Sequence, residues 1–220
     1  MFSAVIYFHA VAILAVAAIC TWGLSLARRN ASIVDSLWSL LFVLAACTYA
    51  RDAGTVGPRA IWVLCLVTVW ALRLSIYITC RNWGHGEDRR YQAIRARNQP
   101  NFGLKSLYLI FLLQAVLAWI ISQPLLGAIL NPGPMGIVDL LGVALWGVGF
   151  TFEAGGDWQL ARFKSKAANQ DEVMDRGFWR YTRHPNYFGD FCVLATKSFG
   201  FRPPCVDEEV GEGRPTSSWM

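Results

Sequence analysis

AVIYFHAVAILAVAAICTWGLSL, residues 4–26, runs 23 residues without an Asp, Glu, Lys or Arg. At 1.5 Å per residue a helix of that length is about 34 Å long, enough to cross a hydrocarbon core of about 30 Å. No Lys or Arg precedes the run, and it is too long for the apolar part of a secretory signal, so it reads as a true span. Windows of about 19 residues find four more: Ile33 to Ala50, Ala60 to Cys80, Leu107 to Leu130 with a break at Pro124, and a short one from Ile137 to Phe152. The fold class is therefore all-α, a polytopic transmembrane bundle of about five spans.

Composition agrees. The chain has 220 residues, of which 55% are hydrophobic and 16% charged, with a mean hydropathy of +0.35; a soluble globule could not hide that much apolar surface. Cysteines at 20, 47, 65, 80, 192 and 205 form no CxxC and no Cys/His metal spacing, which argues against a disulfide framework and a zinc site. The net charge of +5 is not a nucleic-acid footprint, because the basic residues sit between spans. Arg28 and Arg29 follow the first span, Arg81 to Lys105 the third, and Arg162 to Arg183 the fifth, fourteen in all on one side, against only Arg51 and Arg59 on the other. The positive-inside bias then expects the N-terminus outside or lumenal and the basic loops cytosolic, in a bacterial inner membrane or an intracellular membrane such as the ER.

Ionisable residues within spans are costly and find partners or functions. Asp35, Arg73 and Glu153 share one depth near the basic side. An Asp35–Arg73 ion pair that pins the packing and a role at a ligand site are both open. His9 and Asp139, at the opposite edge, read as solvated and non-functional. Beyond Phe152 the helical pattern continues: Glu153, Asp157, Leu160 and Lys164 follow at intervals of four, three and four and share one face. A helix from Ile137 to Lys166 would be about 45 Å long and project past the membrane. Gly155 and Gly156 inside it each cost about 1 kcal/mol relative to Ala, so they mark a close approach by a neighbour or a kink.

The most specific run is GFWRYTRHPNYFGD, residues 177–190. Arg180 and Arg183 are forked donors for phosphate oxygens. Trp179, Tyr181 and Tyr187 offer planar faces for a heteroaromatic ring. Pro185 keeps His184 extended, ahead of a last helix starting near Tyr187. An interfacial aromatic and basic belt would use the same residues.

With ExxGDWQ…FK from Glu153 to Lys164, SIVDSLW at Ser32 to Trp38 and RNWGHGEDRRY at Arg81 to Tyr91, this run resembles the bacterial-type membrane relatives of the steroid 5-alpha reductase family. The resemblance implies a bundle that binds NADPH in a cytosolic segment and reduces a carbon–carbon double bond conjugated to a carbonyl in a sterol or other lipid. It implies that Arg183, His184, Asn186 and Tyr187 hold the nucleotide, flanked by Asp157, Lys164, Arg180 and Tyr181. It implies an acid and a tyrosine that polarise the substrate carbonyl, for which Asp35 with Tyr77 or Tyr91 are the candidates. His85 reads as loop or cofactor lid.

Family members continue past YFGD into further apolar segments; here residues 1–195 make the reductase-like domain, and 196–220, rich in Gly, Pro, Ser and acids, are expected as a divergent, disordered tail. Two other classes stay open. An S-adenosylmethionine-dependent isoprenylcysteine or phospholipid methyltransferase also carries an RHPxY turn, although Glu208 and Glu209 lack helical apolar spacing. A non-catalytic membrane protein that has lost its site is the other.

Overall fold

The computed structural model describes residues 4–131, 133–166, 169 and 172–196. The expected tail lies outside these residues but for Thr196. Among the described residues the regular structure is all helical, and five helices are long and apolar enough to cross a membrane.

Helix α1 (Ala4–Arg28) buries Ile6, Ala10, Leu14 and Ala18, one residue per turn, against α2 (Ile33–Ala53). Small side chains on that stripe let the two backbones close up. Helix α2 is the central element. Leu41, Phe42, Ala45, Ala46 and Tyr49 are fully buried, and Phe42 meets Trp38 and Trp70 edge-on at 5.4 and 5.6 Å. Helix α3 (Pro58–Asn82) starts on a proline, which has no N–H to leave unpaired at a helix start. A short helix, α4 (Arg89–Arg97), comes next and is too short and too charged to cross a membrane.

The fourth span is composite. It runs through α5 (Phe102–Ser106), a π-helical turn (Leu107–Leu112), α6 (Leu113–Ile121) and α7 (Gln123–Leu130). The break falls at Ser122, because Pro124 near the start of α7 cannot continue the ladder. Ser122 Oγ bonds Tyr49 Oη at 2.9 Å, so the interruption is held against α2.

Helix α8 (Ile137–Lys164) is one unbroken helix that extends well past Phe152, since its acids turn inward onto α3. Helix α9 (Pro185–Thr196) then runs back along it. Their crossing is lined by glycine. A Cβ on Gly149 would lie 2.7 Å from Gly189 O, and one on Gly156 3.1 Å from Pro185. A Cβ on Gly155 would lie 2.5 Å from the ring of Phe178. The glycine pair therefore answers to close approach, not to a kink.

At the end opposite the basic loops, Asp139 is not solvated as expected. It forms a bidentate pair with Arg59 at 2.8 and 2.9 Å, with side chains 6% and 9% exposed, and Arg59 also donates to Pro134 O at 2.8 Å. His9 pairs with Asp52 at 2.7 Å. Large apolar side chains such as Phe8, Ile76, Ile137, Leu140 and Phe191 point outward, as expected of a surface whose solvent is lipid. The chain is membrane-embedded and multi-pass.

Candidate functional site

Trp70, Arg73 and Tyr77 recur at spacings of three and four on α3 and so share one face. Glu153 and Asp157, four apart on α8, meet them. Trp70 Nε1 donates to Glu153 Oε2 at 2.9 Å. Arg73 bridges both acids, pairing through Nη2 with Glu153 Oε1 and donating from Nη1 to Asp157 Oδ2 at 2.7 Å. Tyr77 Oη reaches Asp157 O at 3.4 Å. An Asp35–Arg73 pair does not form. Arg73 lies deeper than Asp35, and two carboxylates on the facing helix neutralise its guanidinium.

Asp35 is held from another direction. The α3–α4 connection folds back over the start of α2: Glu87 accepts from Ala31 N at 2.8 Å and from Arg95 Nε and Nη2 at 2.8 and 2.7 Å, while Asp88 N donates to Ser32 Oγ at 2.8 Å. This latch sets α4 over the bundle mouth. From it Tyr91 Oη donates to Asp35 Oδ1 at 2.5 Å and Arg90 Nη2 donates to Asp35 Oδ2 at 3.0 Å.

Burial, followed by the neighbouring Asp35 carboxylate, pushes the Tyr91 phenol up, so it keeps its proton. Burial also acts upward on Glu87, but the hydrogen bonds from Arg95 and Ala31 outweigh it and hold the carboxyl below the ordinary range. The side-chain and backbone donors of Arg90 lower Asp88 in the same way.

Between the two clusters lies a cleft of about 700 Å³, within the usual size of a ligand site. Helix α2 supplies Asp35 and Trp38, α3 Leu74, Tyr77, Ile78 and Arg81, α6 Gln114, α8 Glu153 and Asp157, and α9 Asn186, Tyr187 and Asp190. Its carboxyl-rich floor suits hydroxyl and amide groups, whereas phosphate would be drawn to Arg81 and Arg90 at the wall. Asn186 Oδ1 is buried with no hydrogen-bond partner among the described residues, an acceptor available to a ligand.

Of the residues expected from sequence, Asp35, Tyr77, Asp157, Asn186 and Tyr187 meet in this cleft. Tyr91 stands behind Asp35 and is buried. His184 stacks on Tyr187 with centroids 5.1 Å apart. Arg180, Tyr181 and Arg183 are exposed and are not among the cleft-lining residues. Trp179 and Phe178 tie the 3-10 turn Gly177–Arg180 to α8 through Gly156 O and Gln159 Oε1, both at 3.0 Å. Lys164 lies outside the cleft: its ammonium donates to Glu172 O at 2.9 Å, because the cleft does not extend that far along the helix. His85 is an exposed loop residue near Trp83 O.

Sequence reasoning missed Trp70, Arg90, Glu87 and Gln114. Only Gln114, a carboxamide in an apolar run, carried a local signal.

The model of a family described as a protein of unknown function, DUF1295, matches residues 21–196. That match ends at the last described residue of α9. No curated protein and no solved structure matches the chain.

Proposed function

This chain belongs to the DUF1295 family, and from that premise we propose that it is a membrane-embedded, NADPH-dependent reductase of a carbon–carbon double bond conjugated to a carbonyl in a sterol or other lipid. The observation that carries the reading is the convergence of Asp35, Tyr77, Asn186 and Tyr187, from three separate helices, on one cleft. The likeness of the motifs to steroid 5-alpha reductases supports it. The basic end of the bundle is read as cytosolic, where the cofactor is available.

The residues present fit a dinucleotide. The Asn186 side chain hydrogen-bonds Asp157, and its Oδ1, buried without a partner among the described residues, would accept from an amide or hydroxyl N–H or O–H, with Tyr187 beside it. Arg81 on the wall, with Arg180 and Arg183 on the exposed segment just ahead of Asn186, would hold phosphates. When bound, the nicotinamide supplies the hydride that such a reduction consumes.

The chain's own residues handle charge and protons. Tyr77 Oη makes a long 3.4 Å bond to Asp157 O and lies beside the Arg81 guanidinium, so its O–H can turn to a substrate carbonyl and, with Arg81 next to it, stabilise developing enolate charge. Tyr91 and Arg90 keep Asp35 oriented and its charge matched. Tyr91 is thus a positioning residue in this reading, and Tyr77 is the hydroxyl that touches substrate.

The test uses the full chain in lipid nanodiscs, with NADPH and lipid-like conjugated enones. The expected result is NADPH consumption coupled to a product two hydrogens heavier, with Tyr77→Phe lowering kcat by about 100-fold or more. Binding of S-adenosylmethionine with methyl transfer would put a methyltransferase in its place. Failure to bind either cofactor would leave the non-catalytic reading.

A further inference from the structure

The segment LYLIFLLQAVLAWII, residues 107–121, carries one carboxamide, Gln114. A glutamine in a span loses hydrogen bonds to water and is expected to find a protein partner or a polar cavity. Gln114 lies one residue beyond the first position of α6, directly after the π-helical turn. Each residue added to a helical turn rotates the positions beyond it by about 100°, and such π-turns occur often at functional sites. Past the turn Gln114 shares a stripe with Ile110, Phe111 and Ala118, at spacings of three and four, all buried. Its side chain therefore faces the bundle and opens into the cleft as the contribution of α6 to the wall.

The charged groups around it are engaged. Glu153 is held by Trp70 and Arg73, Asp157 by Arg73, and Asp35 by Tyr91 and Arg90. Gln114 makes no hydrogen bond to another described residue. It also lies 12 residues into its span from Phe102, whereas Tyr77 is 5 residues from the end of α3 at Asn82, so it sits deeper in the bundle. A carboxamide donates and accepts but offers no net charge, so it selects an uncharged oxygen over an ionised group.

We propose that Gln114 is a specificity-determining contact: its carboxamide hydrogen-bonds a carbonyl or hydroxyl oxygen of the lipid substrate, remote from the enone that Tyr77 engages. The substrate class is then a lipid with two separated, uncharged oxygen functions. The inference rests on the cleft being the substrate site of the reductase reading.

The experiment compares two conjugated lipid enones that are identical except for a remote hydroxyl, using the full chain in nanodiscs. Kd is measured by quenching of intrinsic tryptophan fluorescence, to which Trp38 in the wall contributes, and NADPH-dependent turnover is measured in parallel. Wild type is expected to prefer the hydroxylated enone by about 3- to 10-fold, the worth of one net hydrogen bond. Gln114→Leu should abolish the preference by raising KM for the hydroxylated enone to that for the deoxy enone. Gln114→Met serves if the leucine variant fails to fold. Retention of the preference in either variant overturns the contact and leaves the reductase reading standing. A Gln114-dependent binding preference without turnover of either enone keeps the contact and removes the reductase. Binding of neither enone overturns both.

Discussion

Gly147 and Gly149 stand two residues apart on α8, and the structure assigns opposite signs to the same substitution at the two positions. At Gly147 a Cβ would meet nothing within 4 Å. Ala there relieves the entropic cost of glycine in a helix and should stabilise by about 0.5–1 kcal/mol. At Gly149 the same methyl would lie 2.7 Å from Gly189 O, 2.8 Å from Cys192 Cβ and 3.0 Å from Val193 N. Two of those atoms are backbone, so no rotamer change makes room, and α9 must retreat by several tenths of an ångström to restore ordinary contact. Overpacking of this kind costs about 1–3 kcal/mol. Set against the helical gain, the net loss is about 1–2 kcal/mol, a factor of about 5–30 in the folded ratio. The assay is reversible unfolding of the full chain by SDS in mixed micelles, with both alanine variants and wild type run together. Because α9 carries Asn186, Tyr187 and Asp190 into the cleft wall, Gly149→Ala should also weaken binding of the proposed cofactor NADPH, whereas Gly147→Ala should not. A Gly149→Ala protein as stable as Gly147→Ala would refute the tight crossing.

Other consequences can be measured separately. Arg59→Met strands Asp139 as a buried anion and should cost about 3–5 kcal/mol in the same SDS assay, with Arg59→Met/Asp139→Leu recovering most of it; the recovery is incomplete because Asp139 also accepts from Gly136 N at 2.7 Å. The Glu87 carboxyl sits below its ordinary range when folded, so its stabilising effect is full above the unfolded value and drains as pH falls through the lowered one. The stability gap between wild type and Glu87→Gln should therefore be widest near neutrality and close below a pH of about 4; a gap independent of pH contradicts the latch. Tyr91→Phe leaves Asp35 Oδ1 without its donor and should cost about 1–3 kcal/mol, read as a lower unfolding midpoint. In whole cells, a cysteine at Gly133 should react with a membrane-impermeant maleimide and one at Gly86 should not; the reverse pattern inverts the topology.

The spans were legible because crossing a bilayer demands some twenty apolar residues in a row, a signal that survives without tertiary context. Asp35, Tyr77, Asp157, Asn186 and Tyr187, singled out in sequence because ionisable or motif-borne groups at membrane depth are conspicuous, do line one cleft. Their partners were not legible in the sequence. Arg90 and Tyr91 reach Asp35 across 55 and 56 positions, and their loop reads in sequence as a belt of positive charge. Arg73 had acids of similar depth on two helices, and only packing decides between them. The fifth apolar span looked short because hydropathy falls at Glu153, although the spacing already carried its helix on to Lys166; Glu153 is 2% exposed, and Trp70 and Arg73 on α3 make its burial tolerable. The spacing of Lys164 fits the acidic stripe, but the cleft does not extend that far along the helix.

Helix α3 also sets a timetable. Arg59 and Arg73 await Asp139 and Asp157, which lie 80 and 84 residues further along the chain. At a synthesis rate of about 5–20 residues per second, roughly 4–16 s pass between the emergence of each arginine and that of its counter-charge. Through that interval α3 carries two guanidiniums with nothing to neutralise them, at a cost of about 2.5–3.5 kcal/mol for one held at the membrane centre. That cost falls on α3 until α8 arrives, so the full stability of α3 in the bundle waits on α8. A chain arrested before Asp139 leaves two arginines of α3 without their counter-charges, the kind of unfinished product that membrane quality control can recognise and remove.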